Sequence, residues 1–441
     1  MNTIVAKPIA AQSDLCCNGV KVYGQGFILD SEEALKISAS SMGFIKPYRN
    51  GKDISGVSRN VFAIDCCGID DPAFIEKNNP ALYQILLERV YPTRIVERDE
   101  NLRNKWWLFE RNRPELRKNI SSLNRYIATL DTSKHRFFVF LESQILPDVQ
   151  LAVIALEDAY FLGVLSSQLH VKWALETGGR LGVGNDPRYK KKRCFDPFPF
   201  PDPTPEQKQK IRELGDRLDS HRKQVQAAHP DITITGMYNL LEKLRAGTPF
   251  SELDRAYNNR ALVSTLNQIH DELDKAVFEA YGWQDLWGKP NPEITETILE
   301  RLVALNAERA AEERNGHIRW LRPEYQAPAQ VQSTQIALTG IDVEPETVVV
   351  PVEQQKWPPQ PKAQLAAIRD LLRTSSGEWT VAQIANQFTG KNTQKKLDAI
   401  GENLDRLEWF GVVIDSTEST LREREDTGIT YWQYAELQQT A

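Results

Sequence analysis

An α+β class is predicted for this chain, with a mixed domain followed by a helical region and a small winged-helix-like module, and three observations predict it. Short β-branched and aromatic runs separated by turns fill residues 20–150, and apolar residues recur at helical spacing over 157–315. A proline-rich stretch then precedes a final pattern of three helices and two strands. The length of 441 residues exceeds one ordinary core and implies two to three domains. With 41% apolar and 26% charged residues, and no apolar run long enough to span a bilayer, the composition is that of a soluble globular protein. The first twenty positions lack a basic start followed by an apolar stretch, so a cytoplasmic protein with no membrane partner is expected.

In order along the chain, Val57 to Cys66 and Arg136 to Leu141 read as strands, and Asn50-Gly51 reads as a turn. From Glu157 the period becomes helical, with Phe161, Leu165, Leu169 and Trp173 on one face until Gly178-Gly179 stops the helix. Thr204-Pro205-Glu206 gives an N-cap, a first-turn proline and an acid suited to the helix dipole, starting a polar helix that runs to Ala228. Leu262, Leu266, Ile269, Leu273, Val277 and Ala280 mark an amphipathic helix ending near Gly282, and Glu293 to Arg314 carries another through Ile294, Ile298, Leu302 and Leu305. Residues 322–361 hold seven of the 24 prolines and read as a linker with one strand at Val348 to Val350. Beyond it Ala363 to Arg373, Val381 to Phe388 and Thr393 to Leu407 read as helices, followed by strands at Val412 to Ile414 and Tyr431 to Tyr434. That is the order of a winged helix.

The five cysteines, Cys16, Cys17, Cys66, Cys67 and Cys194, contain no Cys-x-x-Cys pair, and the six histidines are scattered without ligand spacing. Neither a disulfide framework nor a metal site is suggested. Asp202, Glu206 and Lys208 sit as the carboxylates and lysine of a nuclease would, but they are better explained as the start of a helix. The likeness of Asp196-Pro197-Phe198 to a base-holding Asn-Pro-Pro-aromatic motif is superficial, because phenylalanine replaces the second proline. The glycines of 178–184 follow a helix rather than a buried strand, and Arg180 stands where a cofactor loop needs glycine, so no cofactor is assigned there. Those glycines read instead as clearance for a bulky partner.

Charge carries the functional signal. Between Arg188 and Arg193 five of six residues are Lys or Arg, in a protein whose formal net charge is −6. A dense single-sign cluster on an acidic background is the footprint of phosphate contact. A second basic region, Asn101 to Arg125, has seven Lys or Arg against Glu110 and Glu115, and Trp106-Trp107-Leu108-Phe109 interleaves aromatics with that charge. Core packing of those aromatics is the equally weighted alternative.

The succession NGKDISG (50–56), WWLFERNRPELR (106–117), RYIAT (125–129), KHRFF (134–138) and DAYFLGVLSSQLHVKWALETGGRLGVGNDPRYKKKRCFDPFPFP (158–201) closely resembles the target-recognition domain of MmeI-like enzymes, the Type IIL restriction-modification proteins. The resemblance implies an N-terminal extension at 1–23, a recognition domain at 24–203, a helical region at 204–321, the linker at 322–361 and the terminal module at 362–441. In that family a nuclease, an S-adenosylmethionine-dependent adenine-N6 methyltransferase and the recognition domain share one polypeptide. The family's methyl-donor loop and Asn-Pro-Pro-aromatic motif have no counterpart in these residues, so the resemblance implies the specificity portion of a truncated or split DNA methyltransferase. No catalytic residue is assigned to this chain, and S-adenosylmethionine is expected in the missing methyltransferase portion.

The implied partners are double-stranded DNA and a methyltransferase chain, with or without a nuclease. Lys190, Lys191, Lys192 and Arg193, with Arg111, Arg113 and Arg117, would neutralise phosphates, while Arg180, Asn185, Asp186 and Arg188 have the fork or amide geometry to read base edges. Lys391, Lys395 and Lys396 offer either a second DNA contact or a docking surface. The competing functions are methylation by this chain through an unrecognised site, and a non-catalytic role in assembly.

Overall fold

The computed structural model describes residues 6–41, 43–181, 186–288, 293–328, 355–358, 360–374, 379–389, 394–409, 413–415 and 431–434. They form a mixed α+β protein whose contacts divide into two compact units, 1–339 and 340–441. The first contains strands β1 (Cys16–Asn18), β2 (Ile28–Leu29), β3 (Ile45–Arg49), β4 (Phe62–Ile64), β5 (Arg125–Leu130), β6 (Val139–Glu142), β7 (Leu146–Pro147), β8 (Leu151–Ile154), β9 (Arg180–Leu181) and β10 (Asp186–Pro187).

Two four-stranded sheets organise this unit. One is antiparallel in the order β1-β8-β5-β6, with Ile127 of β5 opposite Ile154 of β8 and Phe140 of β6. Its central strands are buried along nearly their whole length, which is why RYIATL and LAVI read as continuous rather than alternating apolar runs. The other sheet runs β2-β4-β3-β7, with β3 and β7 parallel. Residues 9–22, expected to precede the recognition domain, supply β1 and the core side chains Leu15, Cys16, Val20 and Val22.

The expected strand at 57–66 shortens to Phe62–Ile64, because Asp53 accepts from Arg59 N and Nε and holds 56–60 as a loop. The strand expected at 136–141 begins at Val139 instead. Arg136 is buried and turns inward, donating to Leu130 O, to Thr129 Oγ1 (2.9 Å) and to Pro187 O (3.2 Å), so this stretch closes a turn before the ladder starts. Asn50-Gly51 is not a simple turn: Asn50 caps the short helix Gly51–Ser55 in a reciprocal capping box with Asp53.

The helix expected from Glu157 to Leu175 is two helices, Ala159–Ser166 and Gln168–Thr177, broken at Ser167 with ψ of 155°. Asp274 explains the break, since its carboxylate accepts from Gln168 N at 2.7 Å and starts the second helix afresh. Every residue of Ala159–Ser166 is buried. The helix Pro205–Ala228 crosses it so closely that a Cβ on Gly215 would strike Ala159 O. Thr204 caps that helix with Pro205 in its first turn, as the sequence predicts, and Gln207 completes a capping box. Helices Val263–Tyr281 and Glu293–Arg314 follow, and their apolar faces join the core under the first sheet, so the predicted helical spacer is part of that core. Arg322 continues the attachment through Asn119 O and Ser122 Oγ, both at 2.6 Å.

In the second unit, β11 (Gln355–Lys356) pairs in parallel with β13 (Phe388–Thr389), and β12 (Trp379–Thr380) and β14 (Val413–Asp415) flank β15 (Tyr431–Tyr434). Helices Pro361–Thr374, Val381–Asn386 and Gln394–Trp409 enclose a core of Ile368, Leu372, Ile384, Phe388, Ile400 and Leu404. Lys396, read as a surface cation, is buried and donates to Ala385 O (2.9 Å) and Phe388 O (3.1 Å), so it braces this core. Burial also lowers its pKa. Lys391, the side chain of Lys395 and the strand expected at 348–350 lie outside the described residues. Among the described residues no helix is long and apolar enough to cross a membrane.

Candidate nucleic-acid interface

The basic stretch leaves the helix Gln168–Thr177 at a crowded point. A Cβ on Gly178 would collide with the carbonyl oxygen of Arg188, and Gly179 has φ of +75° in the left-handed region. Gly178 therefore lets the chain approach itself rather than a partner, correcting the clearance reading at that position. From Gly179 the chain runs into a two-stranded ribbon, with Asp186 opposite Leu181 in β10 and β9. Arg188 N closes its base on Gly179 O at 2.9 Å. Asn185 lies in the stretch 182–185, outside the described residues.

The returning arm of the ribbon is fastened to the end of β5. Tyr189 N donates to Asp131 O (2.7 Å), Ser133 N to Pro187 O (3.2 Å) and Arg136 Nη2 to the same oxygen (3.2 Å). Beneath this attachment lies an aromatic group of Phe138, His170, Trp173, Tyr189, Phe198 and Phe200. His170 Nε2 pairs with Tyr189 Oη at 3.0 Å while its Nδ1 has no partner. Burial, helped by the Arg136 guanidinium, pushes His170 down to about 3, so this imidazole stays neutral and acts as packing.

After Lys190 the chain makes one π-helical turn, Lys191–Phe195, with Asp196 N donating to Lys191 O at 2.9 Å. The turn divides its residues by destination. Cys194 and Phe195 go into the core, where Trp173 Nε1 donates to Cys194 O at 3.1 Å, and Lys192 and Arg193 are left exposed. Asp196 to Pro201 seal the underside, with Asn306 Nδ2 donating to Pro197 O at 2.7 Å. Burial pushes the Asp196 carboxyl up to about 6, against the lowering influence of Lys191 and Lys192.

The cations differ in how free they are. Arg188 donates to Asp131 Oδ2 through Nη2 (2.8 Å) and Nε (3.2 Å), and Lys190 Nζ reaches Asp131 Oδ1 at 2.7 Å. One carboxylate thus holds two of the five cations. Arg180 is exposed on β9 opposite Pro187, and Asp186 is half-buried on β10. Asp131 was missed in the sequence, where a lone aspartate at the end of a strand carries no signal of distant cations.

The second basic region is arranged differently. Trp106, Trp107 and Phe109 are buried at 7%, 5% and 4% exposure, Trp107 Nε1 donates to Ile69 O (2.9 Å), and Phe109 meets Phe27 edge-on. They form the core under the second sheet, so the core-packing alternative holds and the aromatics are not a stacking platform. Arg117 spends its fork internally, on Asp65 (Nη2 to Oδ1, 2.9 Å) and Asn112 O (2.8 Å). Arg111 is exposed, and Arg113 is half-buried with φ of +53° before the helix Pro114–Ile120. Asp202 pairs with Arg319 at 2.9 Å, an ion pair at the surface.

Comparison with known proteins finds two likenesses. Residues 4–202 match the family model described as MmeI, target recognition domain. A solved structure described as the Type IIL restriction-modification enzyme MmeI in complex with DNA is similar over 67% of this chain, with 18% identity and a TM-score of 0.50. This chain spans 35% of that one. No curated protein matches.

Proposed function

We propose, from the match of residues 4–202 to the MmeI target-recognition domain model, that this chain reads a sequence in double-stranded DNA for a restriction-modification methyltransferase. The observation that carries the reading is the ribbon with its π-helical turn, which projects charge from a rigid, buried aromatic base. A ribbon of this width suits the major groove, where base pairs present distinct donors and acceptors. In this reading Arg180, Asn185, Asp186 and Arg188 meet base edges, and Lys190, Lys191, Lys192 and Arg193 grip the backbone. Arg111 and Arg113 add phosphate contacts, while Arg117 steadies its loop through Asp65. The solved MmeI structure, described as a complex with DNA, supports duplex DNA as the partner.

Reading a site is half of methylation, and the other half is a methyltransferase with its S-adenosylmethionine. The recognition domain would position that catalytic portion over an adenine. Residues 24–203 are taken as the recognition domain and 204–321 as its helical support. The module at 362–441 is taken as winged-helix-like, a reading supported by its three helices and the β14–β15 pair.

The test is binding of the purified chain to a labelled duplex at rising salt, with and without a methyltransferase from the same system. Binding that weakens steeply with salt is expected. Binding in neither arrangement would sink the proposal.

A further inference from the structure

Asp131 sits at the end of β5 and makes two kinds of contact with the ribbon. Its carbonyl oxygen accepts from Tyr189 N, and this bond belongs to a backbone tether that also includes Arg188 N to Gly179 O and Ser133 N to Pro187 O. That tether, with Arg136 on Pro187 O, fixes the path of the chain without the carboxylate. The carboxylate is engaged elsewhere, on the Arg188 guanidinium and the Lys190 ammonium. Its own side chain is 16% exposed, against 29% and 37% for its partners, so it lies below two cations that face water. Half-exposed ion pairs of this kind add little to folding stability. Their effect falls on the cations themselves.

We propose that Asp131 is a positioning residue that restrains the cations of the recognition ribbon, suppressing adhesion to arbitrary DNA. The proposal rests on the reading of the ribbon as a DNA contact. Two positive charges share one negative charge, so the trio presents a net charge of +1 where free side chains would present +2. A stray phosphate must compete with a carboxylate already at hydrogen-bond distance from Arg188 and Lys190. Binding at a matching site replaces those bonds with several DNA groups at once, whereas a mismatched site replaces only some of them. The carboxylate thereby weakens non-specific binding more than specific binding, which is discrimination by a built-in competitor. It also holds Arg188 through the Nε–Nη2 edge of its fork, fixing the plane from which the guanidinium approaches DNA.

The test uses the full chain and a pool of random-sequence duplexes, with affinity measured against salt and the bound fraction sequenced. Asp131→Asn keeps an acceptor and removes the charge. It is expected to bind the unselected pool about 3- to 10-fold more tightly at moderate salt, to steepen the salt slope by roughly 1, and to flatten the sequence preference of the bound fraction. Asp131→Glu keeps the charge on a longer arm and is expected to retain the native slope. The triple variant Asp131→Asn, Arg188→Gln, Lys190→Gln should lose the gain, since the carboxylate acts through those two cations. If Asp131→Asn does not fold, Asp131→Ser, which removes the same charge with a smaller side chain, decides: a tighter pool affinity with a slope steeper by roughly 1 supports the proposal, whereas a native slope in the folded protein overturns it. A folded Asp131→Asn protein with unchanged slope and preference also overturns it. If the unaltered chain itself binds no duplex, the DNA reading fails, an outcome separate from either.

Discussion

Replacing Lys191, Lys192 and Arg193 together by glutamine removes the charge that the π-helical turn turns outward while leaving its buried half, Cys194 and Phe195, untouched. Each lost phosphate contact lowers the slope of log affinity against log salt by roughly 0.9, so three contacts lower it by roughly 2.7. Between roughly 50 and 200 mM salt the native chain should then lose about 40-fold more affinity than the variant. Fluorescence anisotropy with a labelled duplex reads this directly, and thermal unfolding provides the folding control. Lys192 and Arg193 are exposed, so the unfolding midpoint should scarcely move. Equal slopes for the two proteins, with both folded, would refute the assignment of phosphate contact to this turn.

Three further outcomes follow from the same geometry. Gly178→Ala should destabilise the chain by about 1–3 kcal/mol and weaken DNA binding, because its Cβ meets the Arg188 carbonyl; urea unfolding and anisotropy measure the two effects. Burial pushes the Asp274 carboxyl up to about 7, so the folded state holds a proton that the unfolded chain releases near the ordinary value of about 3.9. That contribution is fully present below about pH 4 and is lost as pH rises through about 7, so Asp274→Asn, which still accepts from Gln168 N, should raise stability at pH 8 by on the order of 2–4 kcal/mol and flatten the profile from pH 4 to 7. Trp107→Phe should lower stability through the lost bond to Ile69 O and the smaller ring, by about 1–3 kcal/mol, yet leave the DNA affinity of the folded protein unchanged.

The parts of the fold legible in the sequence are those set by local chemistry. Thr204, Pro205 and Glu206 announce a helix start within one turn, and the structure has that start, with Gln207 closing a capping box the reading did not include. The break at Ser167 was invisible because its cause, Asp274, is 106 residues beyond Gln168 in sequence and acts only after the helices pack. The same holds for Arg136, whose inward turn depends on Pro187. At the interface, the charge density of 188–193 could be read directly, but its division could not. Which cations face water follows from a π-helical turn and from Asp131, neither of which has a sequence period. Trp106 and Trp107 were ambiguous for a similar reason: a run of aromatics beside arginines has the same composition whether the rings face a ligand or the core.

The central claim, that this chain discriminates among DNA sequences, is tested most directly by selecting bound duplexes from a random pool with the full chain at physiological salt and sequencing them. The account predicts enrichment of one defined motif, lost when Arg180, Asp186 and Arg188 are replaced together. Retention of the whole pool without enrichment, or no retention at all, would contradict it.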